Sequence, residues 1–133
     1  MDIRVSVWIE GKEFSPEEFQ SNLDEPLQGT IEYRKKLEDG IVQRTREHWK
    51  SPIYEAKNHK GAITKIHELI SQLRPALQKI KHENTTVCAE LVSHCGDSGE
   101  AHGFYLPLDT IALLAEVGAS LDIDQYYHTR GND

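Results

Sequence analysis

The last quarter of the chain constrains the fold most, because the spacing of its apolar residues changes at a single glycine. Pro107 suits the first position of a helix, and Gly118 suits the left-handed residue that ends one. A helix over residues 107 to 117 is apolar around nearly its whole circumference, so we expect it to be mostly buried. After Gly118 apolar and polar residues alternate, which predicts a strand over residues 119 to 126 with an acidic outer row.

The length and composition are typical of one folded domain. The 133 residues are 38% apolar and 28% charged, and domains most often have roughly 100 to 150 residues. No apolar run approaches the ~20 residues that cross a bilayer. The N-terminal residues lack the basic and apolar segments of a secretion signal. We therefore expect a single cytoplasmic domain over residues 1 to 133, with no part in a membrane.

The two cysteines are too few for a disulfide scaffold. Cys88 and Cys95 are an odd number of positions apart, so a single strand through both would place them on opposite faces of a sheet. We expect both side chains to be free thiols.

The distribution of charge indicates the kind of partner that the chain would bind. The chain has 15 basic and 22 acidic side chains and a formal net charge of -7. This balance disfavours nucleic-acid binding, because the phosphate backbone requires clustered Lys and Arg. Residues 57 to 83 are basic, whereas residues 84 to 133 contain one Arg and eight acidic side chains. Such an uneven distribution favours a basic macromolecular partner.

The N-terminal residues predict a strand followed by a helix. Residues 3 to 9 alternate apolar and polar, which is the period of a half-buried strand. Ser15 and Glu18 then form a capping box, and Pro16 suits the first helical position. The helix should end before Pro26, because the residue ahead of a proline resists helical geometry.

A hairpin follows this helix. Residues 30 to 34 and residues 41 to 44 read as strands, and the Asp39-Gly40 pair between them favours a tight turn. The second of these strands can extend to Trp49.

The longest amphipathic pattern of the chain covers residues 59 to 82, which predicts the main core-covering helix. Pro75 should kink or split that helix, because an interior proline removes a hydrogen bond and clashes with the preceding turn. Residues 86 to 94 then read as a strand. After a loop, residues 104 to 106 suit a short return strand.

The order of these elements predicts the fold class. It reads β-α-β-β-α-β and then α-β, without an internal repeat. A ferredoxin-like, split β-α-β sheet satisfies that order. We therefore expect an α+β domain with a mostly antiparallel sheet, extended by a C-terminal helix and strand.

Three segments of the chain resemble a family of small bacterial domains of unknown function. These are residues 14 to 17 (FSPE), the group formed by Trp49 with Ser51-Pro52, and residues 114 to 126 (LAEVGASLDIDQY). The resemblance implies a compact bacterial α+β domain, and some small cytosolic proteins of this sort serve as immunity proteins for toxins. It supplies no catalytic residues to carry over.

One loop contains a sequence similar to a protease motif. Residues 96 to 99 (GDSG) resemble the nucleophile loop of trypsin-like proteases. Glu100, however, replaces the glycine whose N–H would stabilise the oxyanion, and the chain is too short for two β-barrels. We interpret the segment as an ordinary loop.

The same loop contains side chains that could bind zinc, namely His94, Cys95, Asp97 and His102. The spacing matches neither C-x-x-C nor H-E-x-x-H, and adjacent strand residues point to opposite faces. We therefore predict no metal ion and no cofactor, with a metal-dependent enzyme using the 94 to 102 loop as an alternative.

Asp122 and Asp124 form the most suggestive pair of side chains. Because they are two positions apart on a strand, both should project from the same face, about 6.6 Å apart along the backbone. Paired carboxylates can run acid–base chemistry, bind a cation, bind a partner, or simply face solvent. Tyr126 on the same face strengthens the partner-binding interpretation, because aromatic side chains anchor interfaces.

The basic side chains of the long helix form a second charged group. Helical geometry distributes them over more than one face, so we interpret them as a solvated helix surface rather than a nucleic-acid site. They are Lys60, Lys65, Arg74, Lys79 and Lys81.

These observations together favour a binding protein over an enzyme. We expect a cytosolic protein that binds a basic protein partner, and most specifically an immunity protein that neutralises a toxin, for example a nuclease domain. The expected contact residues are Asp122, Asp124 and Tyr126, with Asp97 and Glu100 from the preceding loop. A small-ligand-binding regulatory domain is a further alternative.

Overall fold

The computed structural model describes residues 2–80, 84–95 and 103–127, and for residues 33–38 and 42–47 it describes the backbone alone. This part of the chain contains six strands, three α-helices and one 3-10 turn. In chain order they are β1 (Asp2–Gly11), α1 (Pro16–Ser21), the 3-10 turn (Glu25–Leu27), β2 (Thr30–Glu38), β3 (Ile41–Lys50), β4 (Tyr54–Ala56), α2 (His59–Leu77), β5 (Thr85–Cys95), α3 (Leu108–Val117) and β6 (Ala119–Tyr127).

The strands form one mixed, mostly antiparallel sheet in the order β2-β3-β1-β5-β6, with β4 also paired to β1. β3 is antiparallel to both β2 and β1, so it lies between two parallel strands that α1 connects. This is the split β-α-β arrangement. β6 is added parallel to β5, and α3 makes the crossover that a parallel pair requires. The predicted fold class is confirmed.

The first strand packs its odd-numbered residues into the core, as the alternation predicted. Its four core side chains are fully buried against α2: Ile3, Val5, Val7 and Ile9. The facing stripe of α2 is also buried, and it includes Ile66, Ile70 and Leu73. Burying each of these side chains stabilises the fold by about 1.5–3 kcal/mol.

The predicted start of the first helix is confirmed. The Ser15 hydroxyl accepts a hydrogen bond from the backbone N–H of Glu18 at 3.3 Å. Phe14 and Phe19 pack with ring centroids 5.8 Å apart, as in a hydrophobic staple. Phe19 also contacts the edge of the Trp49 ring, with centroids 4.7 Å apart, which fixes α1 against β3.

The predicted hairpin is confirmed and is longer than the sequence indicated. Asp39 and Gly40 both have positive φ, at 52° and 77°, as a tight hairpin turn between twisted strands requires. β2 runs over residues 30–38, four residues beyond its predicted end, and β3 runs over residues 41–50, one residue beyond the predicted extension to Trp49.

Ser51 connects β3 to β4 along the same edge of β1. β3 pairs with one end of β1 and β4 with the other. Between them the Ser51 N–H donates to the carbonyl of Val7 at 2.7 Å, and the Ser51 hydroxyl accepts from the N–H of Val7 at 2.8 Å. The serine side chain therefore replaces a backbone acceptor where Pro52 interrupts the strand.

The long helix differs from its predicted course. α2 runs unbroken through Pro75 and ends at Leu77. Of the predicted kink or split at Pro75, the split is therefore wrong, and so is the predicted end at residue 82. Pro75 lies in the last turn, where the missing N–H removes one hydrogen bond and few residues follow whose geometry could be disturbed. Residues 78–80 form turns.

The last helix is less buried than predicted. Only one side of α3 is buried, by four residues: Thr110, Leu113, Leu114 and Val117. Leu108 is 80% exposed and Ile111 is 49% exposed. The prediction was wrong because α3 is the outermost helix and touches α2 and β6 only on its inner side.

The predicted short strand at residues 104 to 106 is also wrong, because these residues have no strand pairing. Both edges of β5 are already paired, one with β1 and the other with β6. A strand returning directly from β5 therefore has no free edge beside it.

No helix in the described ranges combines the length and apolar character needed to cross a membrane.

Candidate partner-binding surface

The three helices of the described chain all pack against one face of the sheet, and the other face carries the even-numbered side chains of β1 and β5 and their neighbours. We call this second surface the open face. Trp8 lies on it, next to Lys50 of β3 and Cys88 of β5. The sheet therefore has a helix-covered side that forms the core and a second side that no helix of the described ranges covers.

A group of three carboxylates lies on the open face at the β5–β6 edge. The register places Glu90 directly beside Asp122, and Val92 directly beside Asp124. Paired strands lie about 4.8 Å apart, so these three acidic side chains are neighbours. Asp122 is exposed, whereas Glu90 and Asp124 are half-buried. We call Glu90, Asp122 and Asp124 the acidic row.

The placement of the acidic row follows from alternation along β6. Leu121 and Ile123 pack against the core from the helix-covered face. Their neighbours Asp122 and Asp124 must then face the other way, because successive strand residues point to opposite sides. The predicted acidic outer row of this strand is confirmed.

Two aromatic rings extend the acidic row toward the end of β6. Tyr126 is paired with His94, and their rings stack with centroids 5.2 Å apart and an interplanar angle of 18°. The side chain of Tyr126 remains 51% exposed. A flat aromatic surface therefore borders the three carboxylates.

The thiol of Cys88 lies close to the acidic row, and the negative charge there affects its pKa. Burial, with a smaller contribution from the nearby charges of Asp122, Glu90 and Asp124, raises the pKa of Cys88 to about 11. Cys95, on the same strand, is buried on the helix-covered side. Both are free thiols, and they lie on opposite faces as predicted.

Among the side chains that the structure describes on the open face, carboxylates outnumber Lys and Arg. The register places Arg4 and Lys50 there. Arg4 pairs with Asp2 at 3.5 Å. The carboxylates placed on this face by the strand register are Asp2, Glu10, Glu32, Glu55, Glu90, Asp122 and Asp124.

The structure brings together three of the five predicted contact residues, Asp122, Asp124 and Tyr126. The other two, Asp97 and Glu100, lie outside the described residues. Glu90 was missed, although its alternation with Leu91 placed it on the polar side of its strand. Only the parallel register of β5 and β6 reveals that it adjoins Asp122.

The zinc hypothesis receives no support from the described residues. His94 and Cys95 point to opposite faces, as predicted. No group of three His, Cys, Asp or Glu side chains within the described ranges is arranged to hold a metal ion. His102 and the GDSG segment at residues 96 to 99 lie outside those ranges.

The basic side chains of α2 lie on the helix layer, on the other side of the molecule from the acidic row. Arg74 forms an ion pair with Glu116 of α3. Lys65 lies 4.4 Å from the centroid of the Tyr54 ring and 3.9 Å from Glu68. Lys60 is exposed elsewhere on the helix. Their separate contacts agree with the interpretation of a solvated helix surface.

The chain matches a family model described as "Domain of unknown function (DUF4279)" over residues 1–128. The chain therefore belongs to this family. The resemblance to a domain family of unknown function is confirmed at that level. No curated protein matches the chain.

Proposed function

We propose that the chain is a cytosolic protein-binding protein, and that its acidic row and Tyr126 bind a basic surface of a partner protein. The observation that carries the proposal is the position of the acidic row on a sheet face that none of the three helices covers. Aromatic side chains such as Tyr are enriched at protein interfaces, and charged side chains beside them select a partner of complementary charge.

The acidic row lacks compensating charge among the described residues. None of its three carboxylates forms an ion pair within the described ranges, whereas Arg4 is occupied by Asp2. Neighbouring carboxylates repel one another, and the raised pKa of Cys88, to about 11, follows in part from their field. A partner that places Lys or Arg beside them relieves this repulsion, so charge complementarity favours a basic partner.

The more specific proposal is that the chain is an immunity protein that neutralises a toxin. Nuclease toxins must attract phosphate and therefore present basic clefts. An acidic protein can enter such a cleft rapidly by electrostatic steering, which raises association rates by roughly 10- to 1000-fold. Occupying the cleft would block the nuclease without any catalysis by this chain.

Charge reversal tests this proposal. We expect Asp122→Lys combined with Asp124→Lys to slow association with the partner by about tenfold or more and to reduce its salt dependence. The matched control is Glu68→Lys on the exposed surface of α2, which should leave both quantities unchanged. Stopped-flow or surface-based binding kinetics at several salt concentrations would measure the effect.

The protein encoded immediately upstream of the gene for this chain is the first candidate partner. If it is a secreted toxin, co-expression should give a complex and protect the host cell. The immunity proposal fails if the neighbouring genes encode no such protein and co-expression with candidate toxins gives neither complex nor protection.

A further inference from the structure

β6 forms one edge of the sheet. It pairs with β5 along one side, and no other strand in the described ranges pairs with its second side. β6 spans residues 119–127 and alternates half-buried and exposed residues over its first part. A strand at the edge of a sheet presents backbone N–H and C=O groups that can pair with another chain.

The side chains of β6 disfavour a second copy of this chain at that edge. In an antiparallel pair of two β6 strands centred on Ile123, Asp122 of one copy lies opposite Asp124 of the other. In a parallel, in-register pair each aspartate lies opposite its own equivalent. Like charges directly opposite each other across strands are destabilising. The same positions are complementary to a strand with Lys or Arg at alternate residues.

α3 presents an apolar stripe above the same edge. Thr110 and Glu116 contact His67 and Arg74 of α2, so they mark the side of α3 that faces α2. With 3.6 residues per turn, the side of α3 turned away from α2 carries three exposed apolar side chains. They are Leu108, Ile111 and Ala115.

The position of α3 in the helix layer directs this stripe toward the edge of the sheet. α2 contacts β1 in the middle of the sheet, whereas α3 contacts β6. The side of α3 away from α2 therefore lies toward the unpaired side of β6. Apolar side chains on the helix-covered face of an added strand would meet this stripe.

We infer that the edge of β6 that pairs with no described strand binds an extended segment of the partner as an additional strand, with Lys or Arg beside Asp122 and Asp124 and apolar residues beneath α3. This inference rests on the proposed basic partner and specifies how that partner is bound. Backbone pairing would supply affinity, and the alternating side chains would supply specificity. The two faces of the added strand thus meet two different surfaces, the acidic row and the α3 stripe.

Two synthetic peptides test this binding mode. One alternates lysine and valine, and the control has the same composition with the lysines and valines in separate blocks. Both carry the same charge, but only the alternating peptide places all its lysines on one face of a strand. We expect the alternating peptide to bind about tenfold more tightly, since cross-strand pairs form on both faces.

Amide hydrogen exchange followed by NMR supplies a signature that charge attraction alone cannot produce. On binding the alternating peptide, every second amide of β6 should become protected, because successive N–H groups of a strand point to opposite edges. Ile111→Lys should weaken the binding of the alternating peptide more than the binding of the block peptide. Asp122→Asn combined with Asp124→Asn should weaken the binding of both peptides. This double asparagine variant takes the place of Asp122→Lys combined with Asp124→Lys if the lysine variant fails to fold.

The possible results of these experiments test strand addition separately from the proposed binding of a basic partner. If both peptides bind equally and the β6 amides stay unprotected, strand addition is wrong while a basic partner remains supported. Another result is that neither peptide binds while a partner protein does bind, in a way that depends on Asp122. In that case too, strand addition is wrong and a basic partner remains supported. If the chain alone forms dimers with protected β6 amides, a second copy occupies the edge and the inference is overturned.

Discussion

Removing the hydroxyl of Ser51 should lower the free energy of unfolding by more than removing an exposed serine hydroxyl does. Ser51 is only 4% exposed, and its oxygen accepts a hydrogen bond from the N–H of fully buried Val7 at 2.8 Å. Ser51→Ala leaves that N–H without its side-chain acceptor where Pro52 prevents the strand from continuing. A buried donor left unsatisfied costs about 1–3 kcal/mol, so we expect the free energy of unfolding to fall by that amount.

Urea unfolding monitored by tryptophan fluorescence would measure the loss. With a slope of about 1–3 kcal/mol per molar urea, the midpoint should fall by about 1 M while the slope is unchanged. The matched control is Ser21→Ala, whose hydroxyl donates to the carbonyl of Glu18 on the exposed side of α1. That control should lose less than about 0.5 kcal/mol. Equal losses in the two variants would refute the role assigned to Ser51.

Four further predictions concern individual residues. The pKa of Cys88 is raised to about 11 by burial and nearby carboxylates, so its alkylation in the native chain should be much slower than in the urea-unfolded chain, as peptide mass mapping would detect. Stability should also fall as pH rises from about 9 to about 11, because the unfolded thiol loses its proton first and the native thiol keeps it; a flat profile would contradict this. Asn58→Ala removes the cap that accepts from the Gly61 N–H at 2.7 Å and should cost about 1 kcal/mol in thermal or urea unfolding. Gly29→Ala should destabilise the fold far more than Gly103→Ala, because a Cβ at Gly29 overlaps the backbone carbonyl of Lys50 at the end of β3, while one at Gly103 meets no atom within 4 Å; similar unfolding midpoints would count against the close packing at Gly29.

Local signals in the sequence predicted the elements whose geometry is decided locally. The alternation of residues 3 to 9, the capping box at Ser15 and the Asp39-Gly40 turn each depend on neighbouring residues alone. The strand and the turn have the predicted structure, and the Ser15 hydroxyl caps the helix as predicted. The element order then left the split β-α-β sheet as the arrangement that satisfies the connections.

Features that depend on tertiary packing were not predictable in the same way. The apolar residues of α3 indicated burial, but periodicity cannot reveal that a helix lies at the outer end of its layer. β4 has only three residues, too few for a periodic pattern to predict its pairing with β1. The proximity of Glu90 to Asp122 depends on the parallel register of β5 and β6, which neither strand encodes alone.

The most direct test of the proposed function is to map the surface of the chain that the partner protects. Amide exchange would be measured on the complex with whichever candidate partner binds the chain, for the unchanged chain, for Asp122→Lys with Asp124→Lys, and for the Glu68→Lys control. The proposal predicts protection on β5 and β6, a complex weakened by the double change, and a complex unaffected by the control. Protection confined to α2, or a complex with unchanged affinity and salt dependence after reversal of both aspartates, would contradict it.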